Sequence, residues 1–515
     1  MSRVARANSR LLTITVTVLL IAVVFAQSAG AWQTVDGGGG GGVGLSCSAA
    51  PAAPTWTQSL SSGPTAAWGS AMAFDPTTCQ TVVFGGCLQL VTGKTATAAG
   101  KTIPFSYCSN ASNATWTRAD ATGTWSGPFA SSPSPGARYL ASMFYDPNIG
   151  HVVLYGGTKH SVGSPDPTLG NNCQASASTP LISGGVVHYD ACYGDTWWWD
   201  GVNRSWHLIT QTGAVPGPRF HAALAGSNGT SGRAVLFSGC EKMGLNLYKE
   251  GPTYYWECEE YGEWPSQGGE LGTVWTLGLT NNAGSISASW VKWPTGSCPS
   301  GTNVNIDDCN APWPRRGAAL VNMGNPAQGR YFLFGGWYYS ALHYGGALAD
   351  SWEFNANTGA WTRYETDGYA SGAYLGGACL TPGAIKNPVN GSYYGFGVAS
   401  GNICPGRLSS LGVAFVRPVA GVHDPFLFGG TPQCATASPC VDSQRTWIWQ
   451  TDCDDVYAGY PNCWREVEPP VAPAARHAMG ITYDGGVNGV VLFGGIATGQ
   501  TAAIGDTWVF GSPSS

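Results

Sequence analysis

Six runs of the chain end alike and decide its fold: VVFGG at 82–86, VVLYGG at 152–157, AVLFSG at 234–239, YFLFGG at 331–336, PFLFGG at 425–430 and VVLFGG at 490–495. A short β-branched and aromatic run stopped by glycine reads as a strand ending in a tight turn. Each run is followed by a tryptophan at the start of another strand: Trp116, Trp197, Trp275, Trp352, Trp447 and Trp508. A second tryptophan follows, at Trp125, Trp206, Trp290, Trp361 and Trp464. Upstream stands an arginine introduced by proline: Arg138 after Pro135, Arg219 after Pro216, Arg316 after Pro314, Arg407 after Pro405 and Arg476 after Pro473. The first unit has Ala66, Ala67 and Trp68 in that place. One unit is therefore an arginine strand, a glycine-pair strand, a tryptophan strand and a second-tryptophan strand. Four short strands repeated six times predict an all-β, radial architecture.

These residues resemble the kelch family, whose repeat carries a glycine doublet followed at a distance by a Tyr or Trp pair. The likeness spans about residues 55–510. It implies a six-bladed kelch-type β-propeller, with four antiparallel strands per blade, lettered a to d from the axis outward. The units exceed the roughly 50 residues usual for such repeats, so insertions must occupy the loops. The arginines are then expected as hydrogen-bonding struts between blades, or, for some, as the lining of an anion pocket near the axis. The chain ends soon after Trp508, in a strand c, and lacks a last strand d. Pro54-Thr55-Trp56-Thr57-Gln58 reads as that strand, so the N-terminal segment is expected to complete the last blade and cover its open edge. A seventh unit within 362–406, where Tyr393-Tyr394-Gly395-Phe396-Gly397 faintly echoes the glycine-pair strand, is the competing count.

Composition agrees with strands and turns. Charged residues make up 10% of the 515 positions, while there are 74 glycines and 22 tryptophans. Apolar residues reach 43%, enough for a large core and too many for a disordered chain. The formal net charge is −6, and no basic cluster is present, which argues against nucleic acid as a partner.

Arg3, Arg6 and Arg10 precede the apolar stretch at 11–26, and Ala29-Gly30-Ala31 offers a small-x-small cleavage pattern. Residues 1–31 are expected to be a secretory signal peptide, residues 32–53 a Gly-rich linker and residues 54–515 the repeat domain. An uncleaved membrane anchor is the alternative, and membrane association follows only in that case. The protein is expected to be secreted or held at the cell surface. Sixteen cysteines, an even number, fit an oxidising compartment. Sequence-local pairing gives Cys47–Cys79, Cys87–Cys108, Cys173–Cys192, Cys240–Cys258, Cys298–Cys309, Cys379–Cys404, Cys434–Cys440 and Cys453–Cys463, with metal sites as the competing use. Sequons at Asn110, Asn113, Asn203, Asn228 and Asn390 are compatible with glycosylation.

In a four-stranded blade the b-to-c and d-to-a connections leave at one end. The long stretches at 87–113, 158–194, 240–272, about 294–313 and about 365–405 all belong to that end. A disulfide over a ~20-residue loop is worth about 3 kcal/mol in the chain-entropy model, and such loops could not otherwise bury a core. Stapled loops on a rigid scaffold are where recognition is usually placed.

Within 240–272, Trp256, Glu257, Glu259, Glu260, Tyr261, Glu263 and Trp264 combine carboxylates with aromatic faces. They fit a glycan or Ca²⁺ site, or a solvated acidic loop covering its own aromatics. His160, His188 and His343 could serve copper or zinc, or be ordinary surface residues, while His221 and His477 belong to strand a and are expected to be structural. Asp307, Asp308, Asp452, Asp454 and Asp455 lie beside cysteines without an EF-hand spacing. No nucleophile elbow, phosphate loop or HExxH occurs.

Kelch relatives include copper oxidases of the galactose-oxidase type and a sialic-acid mutarotase. The former need a Tyr–Cys crosslink, for which eight bridges leave no thiol, and no motif carries the latter's residues over. The favoured expectation is a module that binds an extracellular glycan or protein through one face and requires no cofactor. A carbohydrate-directed enzyme and a structural subunit of a surface assembly are the alternatives.

Overall fold

The computed structural model describes residue 47 and residues 55–163, 181–227, 232–241, 243–247, 254–258, 272–297, 309–324, 329–340, 343–365, 385–386, 393–394, 405–416, 424–432, 441–450 and 463–511. Among these residues every regular element is a strand. The signal and linker segments lie outside them, apart from Cys47.

The arginine, glycine-pair and tryptophan runs fold into six sheets built on four antiparallel strands, one of which carries a fifth, parallel strand. The first joins Ala71–Asp75, Gln80–Phe84, Thr115–Ala119 and Trp125–Phe129. The second joins Ser142–Asp146, His151–Tyr155, Thr196–Asp200 and Ser205–Leu208. The third is built from Ala223–Ala225, Ala234–Phe237, Val274–Asn282 and Ser285–Lys292, and Thr210–Thr212 adds to its outer edge in parallel. The fourth and fifth follow the same order, starting at Ala319–Asn322 and Gly412–Val416. In the sixth, Gly480–Asp484, Gly489–Phe493 and Thr507–Phe510 are completed by Trp56–Ser59, with Trp56 opposite Phe510 and Gln58 opposite Trp508.

Each sheet presents apolar side chains to the next. Phe84 and Val82 of the first unit pack with Leu154, Trp197 and Trp206 of the second, and Trp56 and Trp508 of the sixth with Phe426 and Phe428 of the fifth. A further layer, with Met72 and Val83 against Val491 and Phe493, joins the sixth unit to the first. The second tryptophans lock these layers by reaching back one unit. Trp206 Nε1 donates to Thr115 Oγ1 at 2.8 Å, Trp56 Nε1 to Thr446 Oγ1 at 2.9 Å and Trp125 Nε1 to Thr507 Oγ1 at 3.2 Å. A buried indole N–H that lacks a partner is costly, so these threonines fix the tryptophans' orientation.

At the start of each first strand the backbone turns through the left-handed region, at Gly69, Leu140, His221, Gly317, Ser410 and Ala478, with φ between 50° and 66°. The amide of each donates to the carbonyl of the equivalent residue one unit earlier, at 2.6–2.9 Å, and the amide of Gly69 donates to Ala478. These six hydrogen bonds form a circuit. Beside it, the second residue of each glycine run (Gly86, Gly157, Gly239, Gly336, Gly430, Gly495) donates to Arg138, Arg219, Arg315, Leu408, Arg476 and Ala67 of the following unit. Gly86 shows why a side chain is excluded: φ is +98°, and a Cβ would lie 2.3 Å from Ser70 Oγ.

This second set of bonds corrects the sequence reading of the arginines. The repeat position in the fourth unit belongs to Arg315, not Arg316, and in the fifth to Leu408, not Arg407. The governing spacing is three residues after proline: Pro64–Ala67, Pro135–Arg138, Pro216–Arg219, Pro312–Arg315, Pro405–Leu408 and Pro473–Arg476. The arginine side chains are also not struts between units. Arg138 donates to Gly156 O at 3.0 Å and to both oxygens of Asp195, at 2.6 and 2.9 Å, all within its own unit. Arg315–Asp350 and Arg476–Asp506 repeat the clasp, and Arg219 pairs with Glu241. Each aspartate also accepts from the tryptophan two residues on, as Asp350 does from Trp352 at 2.7 Å. Burial opposes ionisation of Asp195 and Asp506, but the guanidinium's hydrogen bonds and charge, together with the tryptophan and backbone N–H donors, outweigh it and hold both carboxyls below their ordinary range. Engaged in this way, Arg138, Arg219 and Arg476 do not line an anion pocket.

Among the described residues, Cys47–Cys79, Cys87–Cys108 and Cys240–Cys258 are bridged as expected. Cys192 and Cys309 are also disulfide-bonded. Cys173, Cys298, Cys379, Cys404, Cys434, Cys440 and Cys453 lie outside the described residues, and of Cys463 only the backbone is described. Tyr393–Tyr394 pairs only with Ile385–Lys386 in a two-stranded sheet, and most of the stretch considered for a seventh unit lies outside the described residues.

The seam between the sixth and first units holds a buried acidic cluster. Thr81 Oγ1 donates to Asp484 Oδ2 at 2.7 Å, and Arg118 lies 3.9 Å from the same carboxylate. Burial, and then the neighbouring charge of Asp484, push the Asp120 carboxyl up to about 9. A carboxyl raised in the folded state contributes stability that is complete below its unfolded value and is lost as pH rises through the folded one. The melting temperature is therefore expected to fall between about pH 4 and pH 9, and Asp120→Asn to flatten that slope; an unchanged slope in the variant would refute the assignment. For the clasps, Arg315→Ala is expected to cost on the order of 3–5 kcal/mol in denaturant unfolding and Arg316→Ala less than about 1 kcal/mol. The opposite order would restore the sequence reading.

Candidate functional site

The connections that leave beside the glycine runs do not remain separate loops. Cys87–Ala98 and Lys101–Ala111 from the first unit join Thr158–Val162, Leu181–Ser183 and Val186–Cys192 from the second in one five-stranded sheet. Its order places Thr158–Val162 and Lys101–Ala111 at opposite edges, yet these two strands also approach each other, so the sheet curls. Ile182 opposite Thr97 makes the junction between units. Alternation along the strands buries Ala96, Ala98, Ile103, Phe105 and Leu181 in a core of the inserts' own. The inserts' core forms in a sheet that also carries the Cys87–Cys108 bridge. The third unit adds the hairpin Met243–Leu247 with Tyr254–Cys258, whose second strand lies against Lys101–Ala111. The fourth adds Trp337–Ser340 with His343–Ala347, an excursion too short to stand out in the sequence.

Within the curled sheet, cross-strand register sets His160 opposite Asp190 and Val162 opposite His188. His160 Nδ1 lies 2.8 Å from Asp190 Oδ1, and its Nε2 lies 2.9 Å from His188 Nδ1. The rings are only 7% and 5% exposed and pack on Phe105 and Tyr107. With Asp190 accepting from His160 Nδ1–H, His160 Nε2 is left to accept from His188. Burial, and then the proximity of His160, lower the His188 pKa and favour this neutral form. The two histidines are neither surface residues nor an open ligand pair: each engages the other. His343 lies on the fourth unit's hairpin, opposite Ser340.

One residue before each left-handed position, a side chain stands at the foot of the inserts: Trp68, Tyr139, Phe220, Arg316, Ser409 and His477. Backbone bridges tie Trp68 to Cys87, Tyr139 to Thr158, Phe220 to Cys240, Arg316 to Trp337 and His477 to Ile496. Trp68 meets Tyr139 edge to face at 5.0 Å. His477 Nδ1 lies 2.9 Å from Asp442 Oδ2, and Asp442 also accepts from Thr498 N at 2.7 Å, Thr498 Oγ1 at 2.6 Å and Thr431 Oγ1 at 3.1 Å. Burial disfavours its charge, but these donors, His477 first, hold the Asp442 carboxyl below its ordinary range. Next to this layer, where the six first strands begin, is a cavity of about 110 Å³ to which every unit contributes, with His221 as its one titratable lining residue. Sequence reasoning set His221 aside as structural and absorbed Arg316 into the repeat. The prolines' three-residue spacing would have released Arg316.

Of the residues singled out between 240 and 272, the backbone of Trp256 pairs with Leu245 and that of Glu257 with Gly244. Glu259, Glu260, Tyr261, Glu263 and Trp264 lie outside the described residues, as do Asp307, Asp308, Asp452, Asp454 and Asp455. Asn110, Asn113 and Asn203 are exposed, and Asn228 and Asn390 lie outside. The one close group of potential metal-ligating side chains among the described residues is Cys47, Cys79 and Asp120, and its sulfurs are bonded to each other, so it offers no thiolate.

No family model matches the chain, and no curated protein matches it. Among solved structures, one titled "Structure of YjhT" is similar over 86% of this chain and 95% of that one, at 10% identity and a TM-score of 0.40. A likeness of that degree carries no argument about function.

Removing one member of the histidine chain should loosen the inserts without touching the repeat core. Asp190→Asn is expected to cost about 1–3 kcal/mol locally. Hydrogen exchange should accelerate at 158–162 and 186–192 while the glycine-run strands stay protected; uniform protection throughout would refute the role assigned to Asp190.

Proposed function

We propose that the chain is a six-bladed, kelch-like β-propeller, exported to an oxidising compartment, whose insert-bearing face binds an extracellular glycan or protein. The observation that carries this reading is the fusion of inserts from two neighbouring units into one curled, disulfide-bonded sheet beside the axis. Loops that merely bridge strands have no need of a shared core, whereas a built platform presents a fixed surface. The tip of that platform leaves apolar side chains in water, with Val162 51%, Val186 41% and Ile182 38% exposed. Exposed apolar groups clustered on a rigid element mark contact surfaces more often than isolated ones do. The opposite end carries the short turns between strands, such as Asp200 to Ser205.

Asp442 and His477 favour a second reading, a carbohydrate-directed enzyme. A carboxylate held charged by several donors orients an imidazole whose other nitrogen has no hydrogen-bond partner among the described residues. This is how a general base is prepared.

Full-length protein applied to glycan arrays and to extracellular protein panels tests the binding reading. Ile182→Asp with Val186→Asp should reduce binding at least tenfold, whereas Val202→Asp, in an exposed turn at the opposite end, should leave it intact. Loss with Val202→Asp alone, or no binding to any glycan or protein in either panel, would overturn it.

A further inference from the structure

The surroundings of Cys47–Cys79 differ from those of the bridges among the inserts. Cys87, Cys108, Cys240 and Cys258 are fully buried, whereas Cys47 and Cys79 are half-buried. Cys79 lies in the turn between Ala71–Asp75 and Gln80–Phe84 of the first unit. Cys47 stands nine residues before Trp56, and a Cβ on Gly485, in the corresponding turn of the sixth unit, would be 3.5 Å from its carbonyl oxygen. The bridge therefore joins the two units at the point where the closing strand approaches them. A carboxylate oxygen of Asp120 and the two sulfurs all lie within 4.8 Å of one another. Backbone holds that carboxyl in place: Asp120 N donates to Cys79 O at 3.3 Å, and a Cβ on Gly486 would collide with Asp120 Oδ2. The charged groups facing it are Asp484 from the sixth unit, Arg118 two residues before it and Asp75 from the first strand. Burial first, then Asp484, raise the carboxyl to about 9, so at neutral pH it carries a proton beside the sulfurs.

We propose that Cys47–Cys79 is a thiol–disulfide exchange site for an external dithiol, with Asp120 as its acid–base group, and that opening it releases the closing strand Trp56–Ser59. The site lies among the short turns and does not depend on what the insert-bearing face binds. Exchange begins when a thiolate of the dithiol attacks one sulfur. A mixed disulfide forms as the Cys47–Cys79 bond breaks, and the displaced sulfur leaves with the electron pair. Asp120 gives that sulfur its proton, directly or through one water, and becomes a carboxylate. The carboxylate then takes the proton of the dithiol's second thiol, which displaces the remaining cysteine; that cysteine is protonated from water. The dithiol ends oxidised to a disulfide, both cysteines end as thiols, and Asp120 is restored. Re-oxidation runs the same steps backwards, with Asp120 as base. A poor leaving group is the obstacle in such exchange, and a proton delivered as it departs removes that obstacle.

Dithiothreitol is the probe, applied to the full chain, with acid quenching, alkylation and peptide mapping to follow each bridge. Divided by the thiolate concentration, the opening rate of a disulfide without an acid partner is level with pH. For Cys47–Cys79 it should be level near neutrality and fall about tenfold per pH unit above the Asp120 value of about 9. Asp120→Asn should lower it at least tenfold at pH 7 and abolish the fall, with Cys87–Cys108 unaffected. A carboxyl with only a structural role gives the opposite sign, since its loss would loosen the seam and expose the bridge. If Asp120→Asn does not fold, the pH profile of the unaltered chain decides by itself. A thiolate-corrected rate that stays level through about pH 10, or a folded Asp120→Asn chain opening as fast as its parent, would overturn the acid–base role. For the closing strand, Cys47→Ser with Cys79→Ser should accelerate hydrogen exchange at 56–59 and 507–510 at least tenfold and leave 151–155 protected. Unchanged exchange at 56–59 would overturn the release.

Discussion

The circuit of six hydrogen bonds from Gly69 through Leu140, His221, Gly317, Ser410 and Ala478 back to Gly69 is the constraint on which the rest depends. Each first strand must start at the same height and angle for its amide to reach the carbonyl before it. A buried amide left without that carbonyl would cost as much as a lost hydrogen bond, so one displaced unit penalises its neighbours. Glycine runs enforce the same registration from the second strand, because a Cβ on Gly86 or its equivalents would come within 3 Å of a neighbouring residue, Ser70 Oγ in the case of Gly86. The arginine clasps then rigidify each unit internally, tying the starts of its first and third strands to the glycine run between them.

The sixth unit is where this arrangement is most exposed, since its fourth strand, Trp56–Ser59, is joined to the other three by pairing and packing and not by a connecting loop. Several interactions converge there: the pairing of Trp56–Ser59 with Thr507–Phe510, the layer around Met72 and Val491, and the hydrogen bond from Trp125 to Thr507. Cys47–Cys79 ties the approach of the N-terminal strand to the first unit. The Asp120, Asp484 and Arg118 cluster is the exception, a buried acidic group whose neutral form is favoured. It links the strength of the seam to pH in a direction opposite to the clasp carboxylates, which are held ionised.

A scaffold fixed so tightly at one end of its strands frees the connections beside it to diversify. The inserts have used that freedom to build a second layer with its own core and its own buried polar chain, Asp190–His160–His188. The side chains at its foot, from Trp68 round to His477, sit between a rigid ring and this platform. The circuit positions themselves also tolerate different side chains from unit to unit, since only their backbone is engaged: His221 stands there among two glycines, a leucine, a serine and an alanine.

The repeat was legible in the sequence because strand and turn chemistry is local: the aliphatic runs, their glycines and the two tryptophan positions fall where spacing puts them. Trp56 as the missing fourth strand was equally legible, since a unit one strand short must borrow it. Two adjacent arginines, Arg315 and Arg316, were not separable by residue type, and only the carbonyl that Gly239 selects assigns their roles, although the Pro312 spacing contains the same information. The joining of two inserts in one sheet, the burial of His160 against His188, and the approach of the His221 ring to Gly317 depend on residues 28 to 96 positions apart. Local sequence determined which segments are strands and where they turn. The tertiary structure alone decided which side chains meet where the six first strands begin and among the inserts, because such contacts are set by packing between units, which leaves no periodic trace along the chain.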